Sequence, residues 1–232
     1  MTEARALGSA SRTRLSREVI IQAGLELGAR SDMASISVRN IGALLGANPT
    51  AVYRYFPSKQ ALMEALLDEV LARVLTRVDF SADWRDRLVA LATGTLIEFV
   101  AFPSIAIEAT VLTTKGPAET DTIECILSAF AEAGLSGDAL VQHYAFYASY
   151  CLSEAAGIAR GRSDHADPLA GASPWLEGPL LVDPTRQPHL ASVASELQAL
   201  QDQDIFRFGV EAIIESARRA AGQPAISDAT SE

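Results

Sequence analysis

The chain has 232 residues, of which 49% are hydrophobic and only 6% aromatic. This composition predicts a folded, helical protein and excludes disorder throughout the chain. The N-terminus lacks the pattern of a signal peptide, and no window of about 18 residues is apolar enough to span a membrane. We therefore expect a cytoplasmic protein.

The net charge of −10 is unevenly distributed along the chain. Residues 1–60 contain eight basic and four acidic residues, whereas residues 61–232 carry a net charge of −14. A basic head on an acidic body is the distribution expected if only the head approaches phosphate groups. Chance clustering is the alternative on charge alone.

An amphipathic helix and a second, short helix are predicted first. One begins at Ser16 and the other spans about 38–45, with Ser37 as its N-cap and Gly46 as the left-handed residue that ends it. Apolar residues recur on one face of each helix: Val19, Ile20, Ala23 and Leu27 in the first, and Val38, Ile41, Leu44 and Leu45 in the second.

A third helix is predicted between two prolines. Asn48 caps it, Pro49 occupies its first position, and Pro57 ends it. Val52 and Phe56, four residues apart, face inward, so the outer face carries Thr50, Ala51, Tyr53, Arg54 and Tyr55. Two short helices joined by a tight turn and braced by an earlier helix are typical of a helix-turn-helix unit.

The remaining chain is predicted to be long helices with one interruption. The predicted helices cover about 58–78, 84–102, 104–114, 119–133, 138–160, 190–200 and 202–220. Five prolines make 161–189 a long loop. We expect a flexible basic arm at 1–14, a helix-turn-helix head at 15–60, a larger helical domain at 61–222, and a disordered tail at 223–232.

These residues carry a family resemblance. Residues 16–78 resemble the DNA-binding head of the tetracycline-repressor (TetR) family of bacterial regulators, through SVRNI at 37–41, LGAN at 45–48, VYRYF at 52–56 and Ser58-Lys59. The resemblance implies an all-α fold, in which a three-helix head sits on a larger helical bundle. Asn40 departs from the pattern, because many relatives have an acidic residue that completes a capping box with Ser37.

The resemblance also implies which residues meet DNA. Ser37, Tyr53, Tyr55 and Lys59 correspond to phosphate-contacting positions. The surface that approaches bases comprises Asn48, Pro49, Thr50, Ala51 and Arg54, and we include Arg39 in the predicted interface.

The body resembles the tetracycline-repressor type of C-terminal domain more weakly, through Asp83-Trp84-Arg85 and the segment 206–210. Such domains dimerise through the helices predicted here at 138–160 and 202–220. Two stripes are candidates for the homodimer contact: Ala145, Ala148, Leu152, Ala155, Ala156 and Ala159 on one helix, and Phe206, Val210, Ile213 and Ala217 on the other. An ordinary intramolecular core is the alternative.

An effector pocket is implied by the family. Its candidate lining residues are Phe99, Phe102, Glu108, Phe130, Tyr144, Tyr147 and Tyr150, although aromatic residues at helical spacing are often core. The helices at 58–78 and 104–114 contain no histidine, so we expect a largely apolar organic effector bound without a metal ion. Cys125 and Cys151 are expected to be buried thiols.

Two classes of function follow. The first is a homodimeric, ligand-responsive transcriptional regulator, expected to be a repressor that binds a palindromic operator and is released by a small organic effector. The second is a helical binding protein or enzyme with an accessory helix-turn-helix head. The sequence lacks a nucleophile-elbow or phosphate-loop motif, and its three histidines are not at metal-ligand spacing, so we expect no catalysis, cofactor or metal.

Overall fold

The computed structural model describes residues 14–30, 36–162, 174–176 and 179–222. These residues form eleven α-helices, and their only β pairing is an isolated bridge between Pro174 and Gln201. The predicted all-α fold is therefore confirmed. The helices are α1 Arg17–Gly28, α2 Val38–Leu44, α3 Pro49–Tyr53, α4 Lys59–Leu75, α5 Trp84–Ala101, α6 Pro103–Ala106, α7 Pro117–Glu132, α8 Gly137–Arg162, α9 Pro188–Ser192, α10 Ala194–Ala199 and α11 Asp202–Ala220.

Side-chain caps begin the four helices of the N-terminal region. Ser37 Oγ accepts a hydrogen bond from the backbone N–H of Asn40 at 3.0 Å, and Asn48 Oδ1 accepts one from Thr50 at 2.9 Å. Ser16 and Ser58 cap α1 and α4 in the same way. Each cap stabilises its helix by about 0.5–2 kcal/mol. The predicted helix starts are therefore confirmed.

Helix α3 is shorter than predicted. It ends at Tyr53 rather than at Pro57, because the N–H groups of Tyr55 and Phe56 both donate to the Val52 carbonyl, at 3.0 and 3.1 Å. Val52 and Phe56 are nevertheless buried, as predicted. Leu44 does not belong to the buried stripe of α2, since 39% of its surface is exposed.

Three predicted helices of the body are also revised. Helix α4 ends at Leu75, and i→i−3 hydrogen bonds carry the chain from there to Val78. The segment predicted as one helix at 104–114 contains α6, a 3-10 turn at Glu108–Thr110 and non-helical residues, because four β-branched residues between 110 and 114 are poor helix formers. The helix predicted at 190–200 is divided by Val193 into α9 and α10.

The centre of the body is formed by α5, α8 and α11. The Tyr147 hydroxyl of α8 donates to the Leu88 carbonyl of α5 at 2.5 Å. Arg162 of α8 and Asp202 of α11 form a buried ion pair, with Arg162 Nε 2.7 Å from Asp202 Oδ2. Since removing one member would leave an uncompensated buried charge, this pair fixes α11 against α8.

The stripes predicted for the homodimer contact lie mostly inside the protomer. Phe206, Val210, Ile213 and Ala217 are all at most 3% exposed, and Ala155, Ala156 and Ala159 are buried as well. Tyr150 stacks on Phe206, with ring centroids 5.9 Å apart. The prediction of these seven residues as a dimer surface was wrong, because the apolar face of α11 packs on α5 and α8 of its own chain. Ala145, also predicted for the dimer surface, is exposed.

Helix α4 is joined to the start of α7 by a carboxylate. Asp68 Oδ1 of α4 accepts hydrogen bonds from the Glu119 N–H at 3.0 Å and from the Thr114 hydroxyl at 3.1 Å. Gly116, the N-cap of α7, allows this approach, since a Cβ there would lie 2.2 Å from the Asp68 carboxylate. Asp68 therefore caps α7 from another helix.

We expect Gly116→Ala to lower the free energy of unfolding by about 1–3 kcal/mol, because the added methyl group displaces Asp68. Urea denaturation of four proteins measures this effect: the wild type, Gly116→Ala, Asp68→Ala and the double variant. In the Asp68→Ala background the glycine substitution should cost much less, since its collision partner is gone. Equal costs in both backgrounds would contradict the contact.

Candidate functional site

The first candidate site is the outer face of α3. Val52 and Phe56 anchor the segment in the small core of the head. Around them lies a polar surface that we call the recognition face, formed by Asn48, Pro49, Thr50, Ala51, Tyr53 and Arg54. All of these except half-buried Ala51 are exposed. The predicted base-reading residues are thus brought together on one side of a short, capped helix.

Predicted phosphate-contacting groups flank this face. Lys59 is exposed in the first turn of α4, and Arg39 is exposed in the first turn of α2. Half of the Tyr53 surface is exposed. The hydroxyl of Ser37 accepts a hydrogen bond from Asn40 as the α2 cap, so its own proton remains available to donate to a further partner.

Tyr55 is placed differently from its predicted role. Its hydroxyl donates to the Leu15 carbonyl at 2.7 Å, before the start of α1. Because a phosphate oxygen is only an acceptor and Tyr55 has one proton, the side chain cannot donate to phosphate in this arrangement. The Arg17 guanidinium lies 4.5 Å above the ring of Phe56. Together with the hydrogen bond from Tyr55 to Leu15, this contact joins the start of α1 to residues 55 and 56.

The second candidate site is a cavity of about 80 Å³ lined by α4, α5, α7, α8 and the connection between α6 and α7. We call it the central cavity. Its lining residues are Leu67, Leu71, Leu91, Thr95, Ala109, Leu112, Glu119, Thr122, Ile123, Ile126, Tyr144, Tyr147, Ala148, Cys151 and Leu152. Apolar side chains predominate, as is typical of small-molecule sites.

Two of the seven predicted pocket residues, Tyr144 and Tyr147, line the central cavity. The other five do not. Phe99 and Phe130 are fully buried core residues, Phe102 lies under the guanidinium of Arg73, and the Tyr150 hydroxyl donates to the Ile205 carbonyl at 3.0 Å. Glu108 lies in the 3-10 turn, where its neighbour Ala109 is the lining residue.

The acid that does line the cavity is Glu119, which the sequence reasoning missed. Its Oε2 accepts hydrogen bonds from the Lys115 N–H at 2.6 Å and from the Thr114 hydroxyl at 3.2 Å. The available signal was its position two residues after Pro117, in the first turn of α7, where a carboxylate is favoured by the helix dipole.

The cysteines are buried, as predicted, and Cys151 lines the central cavity. Burial raises the pKa of its thiol to about 12, so it remains protonated at neutral pH. Among the described residues, no cluster of three or more His, Cys, Asp or Glu side chains could hold a metal ion.

In the described part of the chain, no single helix is long and apolar enough to cross a membrane. The segments Trp84–Ala101 and Pro103–Thr110 pass a length and composition test only as a pair, bent by 114°.

Comparison with known proteins gives two family matches. Residues 20–66 match the bacterial regulatory proteins of the tetR family, and residues 79–218 match the tetracyclin repressor-like C-terminal domain. The chain is 25% identical to the HTH-type transcriptional repressor Rv1353c of Mycobacterium tuberculosis, covering 91% of this chain and 86% of the relative. It is also 25% identical to the HTH-type transcriptional repressor DrrR1 of Streptomyces coeruleorubidus, covering 87% and 76%.

Solved structures agree on the fold. A transcriptional regulator from Streptomyces coelicolor A3(2) superimposes with a TM-score of 0.73 at 26% identity, covering 90% of this chain and all of the other. ActR of Streptomyces coelicolor in complex with actinorhodin gives 0.72 at 19% identity, covering 91% of this chain and all of ActR. The second family match alone extends over more than half of the sequence. The chain therefore belongs to the TetR family of transcriptional regulators, which are not enzymes.

Proposed function

We propose that this regulator is a repressor that binds a palindromic operator as a homodimer and is released by a small organic effector. The observation that carries the proposal is the pairing of an exposed recognition face with a mostly apolar cavity, connected by α4. Two relatives that match most of the chain are transcriptional repressors, and ActR was solved with a bound small molecule. Such a repressor acts in the cytoplasm, where its operator lies.

The recognition face divides into positioning and reading groups. The groups at its edges suit phosphate contacts that fix the register of the protein on DNA. These groups are Tyr53, Lys59, Arg39 and Ser37. Asn48, Pro49, Thr50, Ala51 and Arg54 form its centre, where they suit contacts to base edges in the major groove.

We expect the protein to retard duplex DNA from upstream of its own gene in a gel-shift assay. Tyr53→Phe and Lys59→Ala should weaken binding to all sequences alike, whereas Thr50→Ala and Arg54→Ala should change the preferred bases. Each lost base contact should cost about 1–3 kcal/mol. Competition with randomised duplexes separates the two effects.

Arg186→Ala, which removes an exposed positive charge from the body, is the matched control and should leave DNA binding unchanged. Unaltered affinity and base preference in all four variants, Tyr53→Phe, Lys59→Ala, Thr50→Ala and Arg54→Ala, would contradict the assignment.

The homodimer needs a different surface from the one predicted by sequence. Contacts of Tyr150 with Ile205 and of His143 with Ser216 show that α8 and α11 run antiparallel. Large apolar side chains project outward from both helices: Phe146 is 56% exposed and Phe208 is 73% exposed. Two-fold pairing of this outer surface would bury both rings and present two recognition faces to two half-sites.

We expect Phe208→Asp to convert the dimer into a monomer in analytical ultracentrifugation, and to reduce operator affinity at least about tenfold because one short helix reads too few bases. Phe80→Asp is the matched control, since Phe80 is 57% exposed in the connection between α4 and α5. Circular dichroism should show both variants folded. A Phe208→Asp protein that remains dimeric would contradict this surface.

A further inference from the structure

The central cavity has a single charged lining residue among the described residues, Glu119. Its other lining residues are apolar or carry a hydroxyl or thiol group. The charge therefore decides which ligands the cavity favours electrostatically.

Most hydroxyl groups of the lining are unavailable as donors. Tyr147 donates to the Leu88 carbonyl, Thr95 donates to Leu91 at 2.8 Å, and Thr122 donates to Ala118 at 2.7 Å. Each hydroxyl has one proton, so these groups can only accept a further hydrogen bond. A cavity wall rich in acceptors and poor in donors disfavours an anionic ligand.

Glu119 accepts hydrogen bonds but has no ion-pair partner among the described residues. The Thr114 hydroxyl lies within hydrogen-bond distance of both Glu119 and Asp68, but its one proton can serve only one carboxylate at a time. No ion pair joins either carboxylate to a basic side chain in the described residues, and no donor of these residues is within hydrogen-bond distance of Glu119 Oε1.

The Glu119 carboxylate affects a second ionisable side chain of the cavity wall, Tyr144. Burial, together with the neighbouring Glu119 carboxylate, raises the pKa of Tyr144, which lines the cavity from the opposite helix. A positive group placed here would gain attraction from Glu119 and, at longer range, from Asp68.

We propose, on the basis of the function proposed above, that the effector is an organic cation in which an apolar body fills the central cavity and a protonated amine pairs with Glu119. The apolar lining accepts the body by burial of hydrocarbon surface. The carboxylate attracts the protonated amine both as a hydrogen-bond acceptor and as an opposite charge. A neutral alcohol can donate a hydrogen bond but lacks the ion-pair attraction, and an acidic analogue is repelled.

Three probes with the same hydrocarbon body test the inference: 4-phenylbutylamine, 4-phenylbutanol and 4-phenylbutyrate. Calorimetric titration of the full chain at pH 7 should show the amine binding at least about tenfold more tightly than the alcohol, with the acid weakest. The amine should also release the operator at a lower concentration than the alcohol in a gel-shift assay.

Glu119→Gln should abolish the preference for the amine and leave alcohol affinity within about threefold, since the apolar lining is unchanged. Glu124→Gln, an exposed change of the same type on the same helix, should keep the preference. Equal binding of amine and alcohol by the wild type, or a preference that survives Glu119→Gln, would overturn the inference.

The outcomes separate the two proposals. If the alcohol binds the protein and releases the operator as well as the amine does, the cationic effector is refuted and the proposed function stands. Failure of all three probes to bind would overturn the cationic effector too, whereas failure of the wild type to bind any operator DNA would refute the repressor function itself.

Discussion

Helix α4 packs closely against both the head and the body, and this packing connects the two. A Cβ on Gly24 of α1 would lie 2.6 Å from Leu66 of α4, and one on Gly94 of α5 would lie 3.2 Å from Val74 of α4. Side chains larger than glycine would push each neighbour away from α4. Only Pro57 and Ser58 lie between Phe56 and the start of α4, so a displacement of that end of α4 is transmitted to the recognition face.

Polar contacts fasten the same helix to the body at two further points. Asp68 caps α7, and Arg77, just beyond the C-terminus of α4, forms an ion pair with the buried Glu98 of α5. The head also touches the body independently of α4, since the Ser104 hydroxyl of α6 donates to the Arg30 carbonyl at 2.7 Å. A movement of α4 therefore has to be coordinated with α5, α6 and α7.

Local sequence signals predicted the local structure well. Ser37, Asn48 and Ser58 mark helix starts because a short side chain can bond to the exposed backbone N–H groups of its own helix. Buried faces were harder to interpret: Phe206 and Ile213 form an apolar stripe, but periodicity alone does not reveal whether the stripe meets its own chain or a second copy. Their burial in the protomer follows from the fold.

Contacts between distant segments could not be predicted at all. Asp68 and Glu119 are 51 residues apart, and neither belongs to a motif that implies their contact. The aromatic residues proposed for the pocket illustrate the same difficulty, since Phe99 and Phe130 have the expected spacing but are enclosed on all sides. The packing of several helices decides which face of each helix borders a cavity. The sequence pattern of a single helix does not contain that information.

The size of the central cavity determines where a ligand can act. At about 80 Å³ it is smaller than the roughly 300–1,000 Å³ of most small-molecule sites, so a larger ligand must displace part of the lining. The α5 and α8 walls resist displacement, because Tyr147 bonds to Leu88 and the Arg162–Asp202 pair fixes α8 to α11.

The remaining walls are α4, α7 and the largely non-helical connection at 107–116. Asp68 joins all three, because its carboxylate bonds to Thr114 and to the Glu119 N–H of α7. Enlargement of the cavity on this side therefore displaces α4 together with its contacts. If the proposed effector enlarges the cavity on this side, the free energy of binding would act on α4, the helix that directly follows the recognition face.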